Sequence, residues 1–454
     1  MIQQFLITIL VIIGICSCNT NTKTEKATPI VKKQQPEIDI ASAVIYEVNI
    51  RQYSPEGTFK KFTDDIPKLK ELGVKVLWLM PIYPISKTKS KGTLGSYYAV
   101  SNYKAVNPEF GTENDLKELI KTAKSSGMYV ILDWVANHTG WDHHWIKEHP
   151  EYYTKDANDN ITHTPDTDWT DVADLNYDNK GLRTAMFEAM QYWVKNYDID
   201  GFRCDVAGMV PTDFWKSTIS NLRKEKPLFM LAEAWEPELQ EAGFDMGYSW
   251  DTHHLFNEIA QSKKTTTDLK KHLKNLDTLY NGDHIVMNFI TNHDENSWNG
   301  TVTERMGDAA TTMLALAYFV DGMPLIYSGQ EYGLNKRLRF FEKDTIPKIK
   351  GDTWKLLASL SKIKNENKAL HITNTTSNLT ILDDNAYSSV LTLQRTTDSN
   401  EIIYISNLSK KPVSITPAFQ GTFLNAFTDK EMVIKKDTVL QLSPWQYYIL
   451  IKKT

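Results

Sequence analysis

DWVANH, at residues 133–138, ends an apolar run that predicts a β-strand. Three later strings end further apolar runs in the same way: GFRCD at 201–205, LAEAW at 231–235 and FITNHD at 289–294. Catalytic groups of a β/α barrel come from the carboxyl ends of several parallel strands. The strings therefore predict an active site on a (β/α)8 TIM barrel, with three carboxylates, one arginine and two histidines at strand ends: Asp205, Glu233, Asp294, Arg203, His138 and His293.

The order of segments along the chain agrees with such a barrel. From residue 43 apolar strand-like runs alternate with helix-like stretches, which predicts βα units and a parallel sheet. The first three strands are AVIYEVNI at 43–50, VKVLWLMP at 74–81 and MYVILDWV at 128–135, and the others are DGFRCD, LFMLAEA, FDMGYSW, HIVMNFI and GMPLIYSG. Apolar periodicity predicts helices at about 58–72, 113–125, 179–198, 212–225, 252–262, 304–320 and 353–365.

Two further regions adjoin the predicted barrel of residues 41–366. A polar stretch at about 138–178 has no strong periodicity and predicts a small excursion domain after the third strand. Beyond residue 367, short segments alternate apolar and polar residues between turn-forming residues, which predicts a C-terminal antiparallel β-sandwich at 367–454. The sandwich carries no catalytic string, so we expect a structural role for it, with glycan binding as the alternative.

The composition is that of a globular protein without a polyanionic partner. The chain has 454 residues, 41% of them hydrophobic, and a net charge of only −5. This balance argues against nucleic acid as a partner. The 12 Trp, 21 Tyr and 17 Phe are core residues for the most part, but aromatic rings also provide flat faces on which sugars stack.

The amino-terminal segment predicts export and a lipid anchor. Phe5–Ile15 is an apolar run too short to cross a bilayer, and it suits the core of a signal peptide at residues 1–17. Ile15 to Cys18 resembles a bacterial lipoprotein signal, with lipid attached to Cys18, although Met1 to Leu6 carries no basic residue. Residues 18–40 then form a flexible tether. We expect a lipoprotein held to the membrane by its anchor alone, on the periplasmic rather than the cell-surface side, with simple secretion as the alternative.

Three of the polar residues suffice to outline a reaction. Cleaving an acetal needs one acid to protonate the leaving oxygen and one carboxylate to attack the anomeric carbon. Asp205 and Glu233 end adjacent strands, so their carboxyls can face each other. Arg203 lies two residues before Asp205 and points to the same side of the strand, where it favours the ionised carboxylate. Apolar Ala234 and Trp235 are expected to keep Glu233 protonated.

The four strings resemble the conserved regions of the α-amylase family, glycoside hydrolase family 13, over roughly residues 41–450. The resemblance implies that Asp205 is the nucleophile, Glu233 the general acid/base and Asp294 the residue that binds sugar hydroxyls. It further implies that His138 and His293 bind the sugar at the cleavage point beside Arg203. In GSYYAVSNY at 95–103, Tyr98 matches the tyrosine that stacks on this sugar, and Tyr97 is the competing candidate.

The resemblance also implies a calcium ion. Asn137 and Asp174, in VADLN at 172–176, match two family ligands, and the main-chain carbonyl of Met209 matches a third. Oxygen ligands of this kind suit a hard cation. Asn137 as a simple loop cap is the alternative.

The expected activity is retaining hydrolysis of α-1,4-glucosidic bonds in starch-derived glucans or maltooligosaccharides. Gly208-Met209 replaces the Lys-His that many α-amylases have after the nucleophile, and VADLN lacks the usual proline. A cyclomaltodextrinase or neopullulanase-like enzyme that also cuts α-1,6 bonds is therefore the alternative. A glycan-binding protein without turnover is a third possibility, opposed by the presence of all three acids.

Overall fold

The barrel strands are β1 Ile45–Val48, β2 Val76–Leu79, β3 Tyr129–Trp134, β4 Gly201–Cys204, β5 Phe229–Ala232, β6 Gly247–Tyr248, β7 Val286–Asn288 and β8 Met323–Tyr327. They form a parallel sheet in the order β5–β4–β3–β2–β1–β8–β7–β6. A parallel bridge between Leu231 and Met246 links the two outer strands and closes it. The computed structural model describes residues 39–279, 285–372, 378–382 and 387–453.

Alternation along each strand divides the core into two layers. Successive side chains of a strand point to opposite faces of the sheet. Phe202 and Cys204 pack in the large cluster between the strands and the helices, so Arg203 between them points into the barrel, as the sequence predicts. The barrel interior is filled by a second, smaller cluster that includes Ile45, Val76, Trp78, Ile131, Leu231, Met287 and Leu325.

The helices agree with the predicted periodicity at most places, but two predicted helices are divided, and the barrel helices Ile50–Tyr53, Pro237–Glu241 and Thr266–Leu279 were not predicted. The predicted helix 58–72 is two helices, because Pro67 occupies the first turn of the second and Asp65 precedes it. The predicted helix 304–320 is interrupted at Gly307, whose φ is +51°. The barrel helices are Ile50–Tyr53, Phe59–Thr63, Ile66–Glu71, Glu113–Ser125, Lys180–Tyr197, Thr212–Leu222, Pro237–Glu241, Trp250–Ala260, Thr266–Leu279, Val302–Met306, Ala310–Phe319 and Asp352–Glu366.

The segment between β3 and Lys180–Tyr197 contains a short antiparallel pair of strands. His138–Gly140 pairs with Val172–Asp174, and His138 stands opposite Asp174. A one-turn helix, Trp145–Glu148, lies between the two strands of this pair. The pairing brings the distal part of the excursion back to the end of β3.

The C-terminal domain consists of antiparallel strands in two sheets, as predicted. A six-stranded sheet has the order β9–β10–β11–β16–β13–β14, and β12 pairs with β15; side chains from both sheets share one apolar cluster. These strands are β9 Leu379–Ile381, β10 Val390–Thr397, β11 Asn400–Asn407, β12 Val413–Ile415, β13 Gly421–Asn425, β14 Glu431–Ile434, β15 Leu440–Leu442 and β16 Tyr447–Lys452.

The C-terminal domain packs on the barrel helix Ala310–Phe319. Residues 312–319 of the helix Ala310–Phe319 are all buried, as expected for a helix that is apolar on every side. Tyr404 Oη donates a hydrogen bond of 3.1 Å to the Thr312 carbonyl, and the rings of Phe319 and Tyr404 lie 5.4 Å apart. The C-terminal sheet therefore packs directly on the helical layer of the barrel.

The predicted signal peptide, the lipidation site Cys18 and residues 19–38 of the predicted tether lie outside the described residues. Among the helices of the described ranges, none is long and apolar enough to cross a membrane. Cys204 is buried and free.

Candidate active site

Four acids lie at the carboxyl ends of the barrel strands. Asp133 belongs to the end of β3, Asp205 directly follows β4, Glu233 directly follows β5, and Asp294 lies on the loop after β7. Because the strands are parallel, these ends meet at one rim of the barrel.

The Arg203 guanidinium holds three of these acids together. Nη1 lies 2.8 Å from Asp133 Oδ1 and 2.9 Å from Asp205 Oδ1. Nη2 lies 2.9 Å from Glu233 Oε2, as an ion-pair contact rather than a directed hydrogen bond. Nε is 3.2 Å from the hydroxyl of Tyr248. Arg203 is fully buried, so its charge acts on the acids with little screening by water.

Burial and Arg203 act in opposite directions on the two central acids. Burial raises the pKa of Asp205 and of Glu233, and Arg203 opposes the shift at both. The charge of Asp294 raises the pKa of Glu233 further, and the charge of Glu233 raises that of Asp205. Each of the two carboxyls therefore holds a proton more readily than a free carboxyl does. Of the two apolar neighbours expected to raise the pKa of Glu233, Ala234 is buried and Trp235 is 52% exposed.

Val206, the residue directly after Asp205, positions the Glu233 side chain. Its main-chain N–H donates a hydrogen bond of 2.8 Å to Glu233 Oε2. Val206 has φ +36° and ψ +47°, a left-handed conformation that is costly for a β-branched residue. The strained turn aims this N–H at the neighbouring strand end and so links Asp205 and Glu233 a second time.

His293 lies in a buried charged cluster. Its Nδ1 is 2.5 Å from Glu47 Oε1, and its Nε2 is 2.9 Å from the Tyr98 hydroxyl and 3.3 Å from Asp294 Oδ2. Burial alone would lower its pKa, but Asp294 and Glu47 raise it to about 9. The imidazole is therefore protonated at neutral pH. Tyr98 stacks on this ring at 5.5 Å and donates a hydrogen bond to Asp133 Oδ2.

His138 has a different environment on the other side of the cleft. It is buried against Trp169, with ring centroids 5.6 Å apart, and its Nδ1 lies 3.3 Å from Asn137 Nδ2. Burial lowers its pKa to about 4, opposed only by a hydrogen bond to the main chain of Tyr98. His138 is therefore neutral at pH 7.

These side chains line one cleft of about 580 Å³. Tyr98 lines the cleft, whereas Tyr97 is buried elsewhere, with its hydroxyl bonded to Asn49 and its ring under Arg51. The structure therefore brings Tyr98, and not its competitor, to the predicted acids. The residues that line the cleft are Lys91, Ser96, Tyr98, His138, Asp168, Trp169, Asp171, Val172, Asp205, Val206, Glu233, His293, Asp294, Trp298, Phe340 and Phe341.

Sequence reasoning missed two buried acids that organise this cleft. Asp133 pairs with Arg203 in the β3–β4 register and also accepts a hydrogen bond of 3.0 Å from Trp78 Nε1. Glu47, on β1, is the partner of His293. Each acid interrupts an otherwise apolar strand, and this was the available signal, because a carboxylate inside a barrel strand requires a buried partner.

Two of the three predicted calcium ligands lie side by side. Asn137 Nδ2 is 3.4 Å from Asp174 Oδ1 and 3.0 Å from the Thr164 hydroxyl, and the Thr154 hydroxyl donates to Asp174 Oδ2 at 2.7 Å. Burial raises the pKa of Asp174, and no lysine or arginine of the described ranges pairs with it. A buried carboxylate beside hydroxyl oxygens fits a hard cation, whose charge would compensate that burial, but the Asn137 amide would have to present its oxygen in place of the nitrogen that now faces Asp174.

The third predicted ligand, Met209, comes from another part of the chain. Met209 ends the turn Ala207–Met209 after β4, and its side chain is largely exposed. Within the described ranges, no group of three or more His, Cys, Asp or Glu side chains could hold a metal ion. A calcium ion bound here would therefore depend on main-chain carbonyls as well as on Asn137 and Asp174.

The fold and the cleft define a class: a β/α barrel with a buried pair of acids, which is the arrangement of glycoside hydrolases. Residues 31–386 match the family model for the alpha amylase catalytic domain. This match covers most of the chain, so the chain belongs to the α-amylase family.

Named relatives agree with this membership. Alpha-amylase 3 of Dictyoglomus thermophilum is 26% identical over 333 residues, which are 64% of each chain. The cyclomaltodextrinase of Thermoanaerobacter pseudethanolicus is 26% identical over 443 residues, covering 87% of this chain and 71% of that protein. The crystal structure of an α-amylase from Lactobacillus plantarum has a TM-score of 0.82 and 30% identity, covering 91% of this chain and 99% of that one. The match spans just under two thirds of Alpha-amylase 3 and 61% of the longer MalA of Haloarcula japonica.

Proposed function

We propose that this protein hydrolyses α-1,4-glucosidic bonds of starch-derived glucans or maltooligosaccharides with retention of anomeric configuration. The observation that carries the proposal is the buried Arg203, which contacts both Asp205 and Glu233 in the cleft. The names of its relatives, α-amylases among them, support the substrate class.

The reaction uses these two acids in two steps. First, Glu233 donates a proton to the glycosidic oxygen while Asp205 bonds to the anomeric carbon and the bond to the leaving oxygen breaks. Arg203 engages Asp205 Oδ1, so we assign the attack to Oδ2. Water then attacks the same carbon, releases Asp205 and gives a proton back to Glu233. Each step inverts the carbon, and the product retains the α configuration.

The surrounding side chains bind the sugar at the cleavage point. Tyr98 offers its ring as a platform, and Asp294, His293 and His138 offer hydrogen-bonding groups at the same cleft. Positive charge develops on the sugar ring in the transition state. The carboxylates of Asp205 and Asp294 are placed to stabilise that charge.

The first experiment follows fresh product by proton NMR during hydrolysis of maltoheptaose. The expected result is α-anomer first and slow appearance of β-anomer by mutarotation, with no product from Asp205→Asn. Early β-anomer would contradict the double displacement. Absence of hydrolysis by the wild-type protein, with maltoheptaose still bound in calorimetry, would support glycan binding without turnover.

A second candidate function is that of a cyclomaltodextrinase or neopullulanase-like enzyme. Gly208 and Met209 leave the leaving-group side of the cleft without the basic pair common in α-amylases, and a cyclomaltodextrinase aligns over 87% of the chain. Relative rates on amylose, pullulan and cyclodextrin separate the two. Preference for amylose supports the first proposal, and faster cleavage of cyclodextrin or pullulan supports the second.

We also propose a structural calcium ion at Asn137 and Asp174, with the Met209 carbonyl as a further ligand. It would join the end of β3 to the returning strand Val172–Asp174 and so stabilise the excursion. Chelation by EDTA should lower the melting temperature of the wild type and leave Asp174→Asn unchanged. Equal melting with and without EDTA, and no metal by elemental analysis, would contradict the proposal.

The membrane anchor is a separate proposal from sequence. Acylation of Cys18 would tether the enzyme to a membrane, and we favour the periplasmic face. Cys18→Ala expressed in the native host should move activity to a soluble fraction. A wild type that is already soluble, with no lipid on its amino terminus, would indicate simple secretion.

A further inference from the structure

Three surface segments join to form a continuous wall along one side of the cleft. They are the loop 87–95 after β2, the excursion segment 164–172 and the loop 334–345 after β8. The first joint is made by Lys91, whose Nζ donates a hydrogen bond of 2.8 Å to the Asp168 carbonyl and lies 3.2 Å from Asp171 Oδ1. All three of these residues line the cleft, so the joint belongs to its wall.

The second joint crosses from the β2 loop to the β8 loop. The Thr93 N–H donates to Glu342 Oε1 at 3.0 Å, and its hydroxyl donates to Glu342 Oε2. The Leu94 N–H donates to the Phe341 carbonyl at 3.1 Å. A Cβ at Gly92 would lie 2.4 Å from Phe341 Cβ, so the two loops approach as closely as a glycine permits. We call this joint, residues 92–94 with 341–342, the loop bridge.

Strand order places the loop bridge opposite the general acid. The bridge joins the loops of β2 and β8, which flank β1 in the sheet. In a closed barrel of eight strands, β5 lies across the barrel from β1. Glu233 follows β5. Because Glu233 protonates the leaving oxygen, the leaving group lies on the β5 side of the cleft. The bridge therefore stands on the glycone side, towards which the non-reducing end of an α-1,4-glucan extends.

The glycone side is also lined by aromatic rings. The Phe340 ring is stacked on Tyr98 at 6.2 Å, and Trp298 packs on Phe340 at 5.2 Å and on Phe341 at 5.8 Å. Trp298 remains 51% exposed although it lines the cleft. Such faces stack on sugar rings. These aromatic rings line the cleft from Tyr98 as far as the loop bridge.

We propose that the loop bridge closes the glycone side of the cleft, so that the enzyme accepts a short non-reducing end and releases short maltooligosaccharides of constant length from chain ends. This inference rests on the proposed hydrolytic function. Trp298, Phe340 and Phe341 hold the terminal sugars. The leaving side stays open past Glu233, where Met209 and Trp235 are each 52% exposed, and a long glucan extends there.

The test compares p-nitrophenyl maltoheptaoside with the same compound carrying a 4,6-O-ethylidene cap on its non-reducing sugar. Because a closed glycone side would exclude a group beyond the terminal sugar, the wild type should cleave the capped compound about tenfold or more slowly. Early products from amylose should be one dominant short size rather than a ladder. Equal rates on both compounds, or a ladder from amylose, would overturn the inference while leaving hydrolysis established. No cleavage of the uncapped compound would contradict the proposed function instead.

Variants then test whether the loop bridge is the cause. Thr93→Ala combined with Glu342→Ala removes the side-chain bonds of the bridge and should bring the capped and uncapped rates closer together. Glu431→Ala, which removes an exposed pair with Lys453 in the C-terminal domain, should leave the ratio unchanged. Lys91→Ala opens the other joint and provides a second variant should the first lose its melting transition. An unchanged ratio in folded variants of both joints would overturn the assignment.

Discussion

His138 and His293 each follow an asparagine after a barrel strand and line the same cleft, yet they carry different charges. Both are buried, and burial by itself lowers a histidine pKa. Burial lowers the pKa of His138 to about 4, opposed by a hydrogen bond to the main chain of Tyr98. His293 lies between Asp294 and Glu47, which raise its pKa to about 9. The acids that other parts of the barrel bring to a histidine, rather than the local Asn-His motif, therefore determine the charge of the imidazole.

The difference assigns different tasks to the two sides of the cleft. On the β7 side, a cationic His293 can only donate hydrogen bonds, and it holds the orientation of Tyr98. On the β3 side, a neutral His138 can donate through one nitrogen and accept through the other. A sugar between them would meet a charged donor on one flank and an uncharged group on the other.

The largest effect is expected at the acids between the two histidines. Asp205→Asn or Glu233→Gln should each lower kcat on maltoheptaose by about 10² to 10⁴-fold or more, since each removes a group that bonds or transfers a proton in the reaction. Melting temperatures should still show a folded protein. A variant that retains half of the activity would exclude that residue from the proposed role. The two histidines would then not flank the reacting acids.

Replacing each histidine with glutamine tests whether His138 and His293 differ in charge. A hydrogen bond from a charged donor stabilises by about 1.5–3 kcal/mol and a neutral one by about 0.5–1.5 kcal/mol. His293→Gln should therefore lower kcat/KM by about 10 to 100-fold, and His138→Gln by about 2 to 10-fold. The exposed His254→Gln is the matched control and should have no effect. Equal losses at both positions would contradict a difference in charge.

Glu47→Gln should lower the pKa of His293 towards that of His138. Loss of this carboxylate removes one cause of the raised pKa, so His293 should lose its proton at a lower pH. The alkaline limb of the kcat/KM profile should move towards neutral pH, with activity at pH 6 reduced by less than about tenfold. Glu331→Gln removes another buried carboxyl, one that bonds Tyr46 rather than His293, and should leave the limb in place.

The last effect is on stability, and its dependence on pH has opposite signs for the two histidines. An unfolded histidine has a pKa of about 6.5. The contribution of His293 is complete below that pH and is lost as pH rises through about 9. The contribution of His138 is complete above pH 6.5 and is lost as pH falls through about 4. Each is on the order of 3 kcal/mol.

Melting temperatures across pH 4 to 9 measure these contributions. His293→Gln should flatten the alkaline decline, and His138→Gln the acidic one. The same dependence in both variants would show that other groups dominate.

Much of the architecture could be predicted because it depends on local pattern. Alternation placed Arg203 inside the barrel and Cys204 outside, and periodicity predicted the helix Glu113–Ser125 to its ends. Where prediction failed, contacts distant in sequence or special backbone positions were responsible. Asp133 and Glu47 acquire their importance from partners on other strands.

The sequence by itself determined the class of fold, the order of the acids and their family, because side-chain period and motif spacing are local properties of the chain. Only the tertiary structure decided the charge of His293 and the closure of the cleft by the loop bridge. The reason is physical: a pKa depends on charges within a few ångströms, and Glu47 stands 246 residues from His293 in the chain. The loop bridge likewise joins Thr93 to Glu342 across 249 residues.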